Sequence, residues 1–182
     1  AEQGNPYASL ELAKMYRDGL GTEPDPKLAE RGFQDAYSGF VILEEKSHDD
    51  KLQYRLGQML HTGTGTEQDD DAAARYWEEA AKLKNSNAQY ALGKLWLENG
   101  TGDSEQAISY LEQSAEQGNQ YAQYMLGKLY LCGRDVPRDK EKAISYLQAS
   151  AAQGNIYAQF FLDHLDSFRD PSVFLCATNL MR

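Results

Sequence analysis

The stretch AEQGNQYAQYMLGKLYLCGRDVPRDKEKAISYLQASAAQGN, residues 115–155, ends on a variant of its own beginning: AEQGN at 115–119 returns as AAQGN at 151–155. The same theme opens the chain as AEQGNPYASLELAKMY, residues 1–16, and closes it as AAQGNIYAQFFLD, residues 151–163. Repetition at such a period predicts a tandem array before any other argument is made.

Each copy can be followed as columns. A Leu-Gly pair or its variant runs Leu12-Ala13, Leu56-Gly57, Leu92-Gly93, Leu126-Gly127 and Leu162-Asp163, and four positions after each Leu stand Tyr16, Leu60, Trp96, Tyr130 and Asp166. A small residue four before the Leu and a large one four after it share one face of a helix. Between these helices a second motif repeats as Ala73-Tyr76-Trp77-Ala80, Ala107-Tyr110-Leu111-Ser114 and Ala143-Tyr146-Leu147-Ser150, with Ala29-Phe33-Ala36 as a weaker first member. That spacing is one apolar stripe on a second helix. Glycine inside a helix is costly unless a neighbour must come close, so the column Gly57, Gly93, Gly127 is read as a packing notch between paired helices.

The unit is therefore helix, loop, helix, turn: four antiparallel pairs and a fifth first helix, whose last copy breaks the pattern as a terminal repeat should. Loops within repeats read RDGLGTEPDP, HTGTGTEQDDD, ENGTGD and LCGRDVPRD, with Gly for left-handed helix ends and Asp or Pro where the next helix starts. Between repeats the signal is Gly118-Asn119 and Gly154-Asn155.

The order small-xxx-Leu-Gly-xx-Tyr, Gly-rich loop, Lys-Ala-xx-Tyr-Leu and Ala-xx-Gly-Asn resembles the Sel-1-like repeat family, the longer-looped relative of the tetratricopeptide repeat. The resemblance covers roughly residues 1–165 and implies a right-handed α-solenoid of antiparallel helix pairs, with the repeat array placed at 1–168. It also implies a concave side lined by the first helices, with the positions two before and two after each anchor Leu facing the groove. Those positions are Leu10, Tyr54, Tyr90, Tyr124 and Phe160, then Lys14, Gln58, Lys94, Lys128 and His164; Tyr7, Tyr121 and Tyr157 extend the aromatic row. Rings beside ammonium groups suit an extended or helical peptide bearing carboxylates. Part of the tyrosine row is equally explained by packing between neighbouring first helices.

Two departures stand out. Ala29 to Leu56 spans 27 positions where the later intervals span 19, and the extra residues fall around SGFVILEEKSH, read as a lengthened second helix or a bulged turn. The tail DPSVFLCATNLMR follows Arg169, with Asp170-Pro171 suited to a helix start, and residues 169–182 are expected to form a closing helix. Because AEQG elsewhere ends a second helix, further protein is expected before residue 1.

Composition narrows the function. Eighteen basic against 28 acidic residues give a net charge of −10, which argues against gripping a nucleic-acid backbone or an anionic membrane and is otherwise what keeps a long exposed array in solution. No run has the length of a membrane span or a signal segment. Two cysteines, Cys132 and Cys176, make no disulfide framework and point to the cytoplasm. His48, His61 and His164 fall on different repeats without metal-ligand spacing, and Asp69-Asp70-Asp71 stands where a helix start prefers acids. The Gly63–Thr66 stretch lacks the strand before it and the Lys-Ser/Thr after it that a phosphate loop needs. No catalytic site, cofactor or metal is expected, and the chain reads as a non-catalytic protein-interaction scaffold. The end of the chain, YAQFFLDHLDSFRDPSVFLCATNLMR, also resembles the C-terminal part of some conjugative relaxases of gut Firmicutes. That resemblance implies an accessory recruitment module whose nuclease lies elsewhere.

Overall fold

The computed structural model describes residues 4–100 and 102–165. The expected closing helix at 169–182 lies outside the described residues. Nine α-helices are described: α1 Pro6–Asp18, α2 Pro26–Ser47, α3 Asp50–Thr62, α4 Asp70–Lys82, α5 Ser86–Asn99, α6 Ser104–Glu116, α7 Gln120–Cys132, α8 Lys140–Ala151 and α9 Ile156–Asp163. They form two compact units, residues 1–88 and 89–182, with the boundary in the first turn of α5.

The helix starts are written in side-chain oxygens. Asn119 Oδ1 accepts from the backbone N–H groups of Tyr121 and Ala122, and Asn155 does the same for Tyr157 and Ala158, so the Asn of each Gly-Asn signal is an N-cap. Asp25 and Asp139 cap α2 and α8 in the same manner, and Asp69 and Asp103 cap α4 and α6 by accepting from one backbone N–H each. Gly19, Gly63 and Gly133 end α1, α3 and α7 at φ of 70°, 65° and 66°, the left-handed region where a Cβ is penalised.

In the C-terminal unit the core is a ribbon of Leu111, Leu126, Leu147 and Phe161, each fully buried. The glycine column performs the packing task expected of it: a Cβ on Gly127 would lie 2.7 Å from Leu147 Cγ, and one on Gly93 2.7 Å from the Ala107 carbonyl oxygen. In the N-terminal unit a Cβ on Gly57 would collide with the Trp77 indole, which lies across the notch and donates Nε1–H to the Tyr54 carbonyl oxygen at 3.1 Å.

Repeat one solves the same contact differently. Its first helix carries Ala13, and the close approach is made possible by Gly32 on α2, where a Cβ would stand 2.9 Å from that of Ala13. Leu10 is 5% exposed and Leu12 50% exposed. The column reading is therefore corrected: Leu10 is core rather than groove, because α1 turns Pro6, Leu10 and Ala13 toward α2. Leu12 faces away from that core.

The long spacing after Ala29 is a lengthened helix. α2 has 22 residues against 13 in α4 and α6, and its extra turns bury Phe40 completely, edge-on to Tyr7 at 4.9 Å. The Gly63–Thr66 loop rests on α2 so tightly that a Cβ on Gly65 would collide with the backbone carbonyl of Phe33. Its glycines serve packing.

Candidate functional site

The groove positions are best taken unit by unit. In the C-terminal unit, α5, α7 and α9 supply Tyr90, Tyr124 and Phe160. Tyr124 stands among rings: Tyr157 at 6.2 Å and Phe161 at 6.0 Å between centroids. Tyr90 pairs with Tyr121 at 5.9 Å. Phe160 stacks on His164 at 4.2 Å, and His164 Nδ1 lies 2.8 Å from the Phe160 carbonyl oxygen one turn back. Tyr121 and Tyr157 are 55% and 51% exposed, so this is a surface of rings rather than a sealed core.

The lysines follow on the same helices. Lys128 Nζ lies 5.3 Å from the centroid of the Tyr124 ring, within cation–π range. Lys94 Nζ stands 3.9 Å from Glu98 Oε1, a loose exposed pair of small energetic worth. Both are partly exposed.

Tyr124 is the unusual member. Its hydroxyl is buried with no hydrogen-bond partner among the described residues. Burial, with the neighbouring hydroxyls of Tyr157 and Tyr90, pushes its pKa up to about 12. Tyr130, a core-column ring, provides the contrast: it stacks on Tyr146 at 6.0 Å and donates its hydroxyl proton to Glu112 Oε1 at 3.0 Å. A buried donor without an acceptor costs about 1–3 kcal/mol, so the Tyr124 hydroxyl is the polar atom of this face that most needs a ligand.

In the N-terminal unit the corresponding positions are less open to a guest. Tyr54 is half-buried and its oxygen accepts from Gln58 Nε2 at 2.9 Å. Lys14 is engaged with Glu11 at 2.7 Å. Tyr7, beside Phe40, lies 5.5 Å from the Arg55 guanidinium. Sequence reading missed two contributors: Arg55, beside the Tyr54 column, and Phe161, which buries itself against Tyr124.

The remaining chemistry is sparse. His61 Nδ1 lies 2.6 Å from Asp70 Oδ1, with its ring against Trp77 at 5.4 Å, and Asp69 caps α4. No group of three or more potential metal-ligating side chains occurs among the described residues. The free thiol of Cys132 is half-buried, and burial raises its pKa, which disfavours the reactive thiolate. No described helix is long and apolar enough to cross a membrane.

Paired helices stacked by a glycine notch and capped by Gly-Asn turns define an all-α solenoid of short repeats. The chain belongs to the Sel1 repeat family, whose pattern matches residues 6–31, 51–85, 86–119 and 120–155. Proteins of this family generally mediate protein–protein interaction, and its scaffolds are typically non-catalytic. Similar solved structures include c5321, a protective antigen present in uropathogenic Escherichia coli strains, 32% identical over 87% of this chain with a TM-score of 0.64. A Sel1 repeat protein from Oxalobacter formigenes is 28% identical over 87% of the chain, TM-score 0.63. The immunity protein Pa5087 from Pseudomonas aeruginosa is 29% identical over 95% of the chain, TM-score 0.57. The chain spans 33% of the first of these and 62% of the other two. These comparisons lend no support to the likeness to conjugative relaxases, which rests largely on residues beyond 165.

Proposed function

We propose that the C-terminal unit binds an acidic, partly apolar segment of a partner protein across the row Tyr90, Tyr124 and Phe160, with Lys94, Lys128 and His164 beside it. The observation that carries this reading is the Tyr124 hydroxyl, buried and without an acceptor, one turn from the Lys128 ammonium. A carboxylate supplies the acceptor that the Tyr124 hydroxyl lacks, and its charge suits the neighbouring ammonium. It accepts from the hydroxyl and pairs with the ammonium, while exposed Tyr121 and Tyr157 cover the apolar remainder of the segment. Net charge sharpens the argument, because in a chain of −10 a local pair of lysines beside rings lowers the repulsion that an acidic partner meets. Tyr54 and Lys14 are proposed as a separate, weaker contact row of the N-terminal unit.

The test is affinity capture with the whole chain against a Tyr90→Ala, Tyr124→Ala, Lys128→Glu variant of equal helicity, with captured partners identified. A partner held by the first and released by the second supports the reading. Equal capture places binding on the loops or the outer face.

A second reading is that the chain is itself an immunity protein, favoured by the likeness to two immunity proteins from Pseudomonas aeruginosa, Pa5087 and PA5088, which are 29% and 25% identical over 95% of the chain. Protection of a host cell from a co-expressed lethal protein would distinguish it from a general scaffold.

A further inference from the structure

Three residues before the anchors Leu56, Leu92 and Leu126 the array places a buried glutamine: Gln53, Gln89 and Gln123, which are 5%, 1% and 8% exposed. In the C-terminal unit these side chains are fully bonded. Gln89 donates Nε2–H to Gln113 Oε1 at 3.1 Å and accepts at Oε1 from Gln117 Nε2 at 2.7 Å. Gln123 donates to the Ala115 carbonyl oxygen at 3.1 Å and accepts at Oε1 from Gln153 Nε2 at 2.8 Å. In both cases the amide that satisfies the buried carbonyl belongs to the glutamine two positions before the capping Asn of the next helix, Gln117 before Asn119 and Gln153 before Asn155.

Gln53 breaks this arrangement. Its Nε2–H donates to Glu44 Oε1 at 3.0 Å, which fixes the amide orientation because a carboxylate only accepts, and its Oε1 is buried with no hydrogen-bond partner among the described residues. The Gln53 amide, with His48 assisting, holds the Glu44 carboxyl below its usual range, so Glu44 stays an acceptor. The residue two before Asn85, where Gln117 and Gln153 stand in later repeats, is Leu83, which has no donor and is 55% exposed. Over this position opens a pocket of about 770 Å³ between the end of α2, the start of α3 and α4. Tyr76 and Leu83 form its apolar walls and Glu44 and Gln53 line it, with Arg75, Lys82 and Glu79 beside them.

We propose that this pocket binds the side-chain carboxamide of a Gln or Asn on a partner protein, supplying in trans the amide donor that Gln117 and Gln153 supply within the chain. Two neighbouring acceptors, Gln53 Oε1 and the Glu44 carboxylate, exclude a carboxylate guest. A cation is not specially favoured, because Lys82 and Arg75 balance Glu79 and Glu44, and Lys82 Nζ is itself 2.6 Å from Glu79 Oε1. A primary amide is neutral and offers two N–H groups together with an acceptor for the basic side chains beside the floor. Its methylenes suit the Tyr76 and Leu83 walls. This site lies in the N-terminal unit and stands independently of the acidic-segment reading above.

The experiment titrates the whole isotope-labelled chain with acetyl-Ala-Gln-Ala-methylamide, following the Gln53 side-chain amide and the Tyr76 ring by NMR. The same peptide with Glu, Met or Arg in the centre provides the comparison. A saturable shift with the Gln peptide is expected, with at least roughly tenfold weaker binding of the Glu and Met peptides, about 1.4 kcal/mol. Leu83→Gln restores the internal amide and is expected to abolish the response while raising the melting temperature. A Met or Arg peptide binding as well as the Gln peptide overturns the proposal. So does binding unchanged in Leu83→Gln, or the absence of saturation by about 10 mM.

Discussion

The Lys128 ammonium stands 5.3 Å from the centroid of the Tyr124 ring, one helical turn before it on α7, while the hydroxyl of that ring is buried without an acceptor. The two side chains thus offer a cation and an unspent hydrogen-bond donor on one helix face. A structural tyrosine in the same unit, Tyr130, keeps its hydroxyl on Glu112. That difference sets Tyr130, a packing residue, apart from Tyr124, the residue proposed to bind, within a single helix.

Tyr124→Phe removes the unsatisfied hydroxyl and leaves the ring contacts in place. The variant is expected to be as stable as the parent or more stable, by up to about 1 kcal/mol, because a buried polar atom without a partner is worth more removed than kept. Partner affinity is expected to fall at the same time. Chemical denaturation and a binding measurement on the same variant check the pair of effects, and a loss of stability would mean that the hydroxyl has a structural partner.

Alkaline unfolding carries the signature of the same group. Burial raises Tyr124, and Tyr130 likewise, to about 12 from an ordinary value near 10. A raised folded-state value means that the unfolded chain loses its proton first. Stability is therefore retained below about pH 10 and lost between about pH 10 and 12. Denaturation midpoints across that window should fall, and fall less steeply in Tyr124→Phe.

Gly127→Ala tests the notch. The added methyl would stand 2.7 Å from Leu147 Cγ and 2.9 Å from its Cδ2, forcing the core leucine to move. A cost of about 1–3 kcal/mol is expected from overpacking, readable by thermal melting. Gly118→Ala meets nothing within 4 Å, yet sits at φ 89°, so it is expected to cost about 1 kcal/mol through backbone strain alone.

Lys84 occupies the position of Gly118 and Gly154 with φ of 64°, a left-handed conformation held by a residue with a Cβ. Lys84→Gly should relieve strain of about 1 kcal/mol, partly offset by the greater freedom of glycine in the unfolded chain. A melting temperature that falls would show that the lysine side chain earns its place through contacts.

Most of the fold was legible in the sequence because the array repeats its reasons. Gly-Asn turns, aspartate caps and the glycine notch each recur, so a single well-formed copy at 115–155 explains the others. The lengthened α2 was visible as extra spacing, although spacing alone left a bulge open, and only the burial of Phe40 against Tyr7 decides for helix. The first repeat misled at Leu10 and Leu12, since a column read from sequence cannot show that Gly32 on α2 has taken over the notch from α1. For the site, the ring and lysine positions were readable from their columns, but the state of the Tyr124 hydroxyl depends on neighbours brought in from three helices. The glutamine column was in plain view three residues before Leu56, Leu92 and Leu126. Its meaning emerges only where the hydrogen bonds of Gln89 and Gln123 can be set against the missing one at Gln53.

The central claim is that the C-terminal unit recognises acidic segments through Tyr124, Lys94 and Lys128. Selection from a displayed library of random peptides tests it most directly, run on the whole chain and on a Lys94→Glu, Lys128→Glu variant. The account predicts a parental consensus rich in Asp or Glu beside an apolar residue, weakened by salt, and a shift of that consensus toward Lys and Arg on charge reversal. The same consensus from both chains, or one without acidic residues, would contradict it.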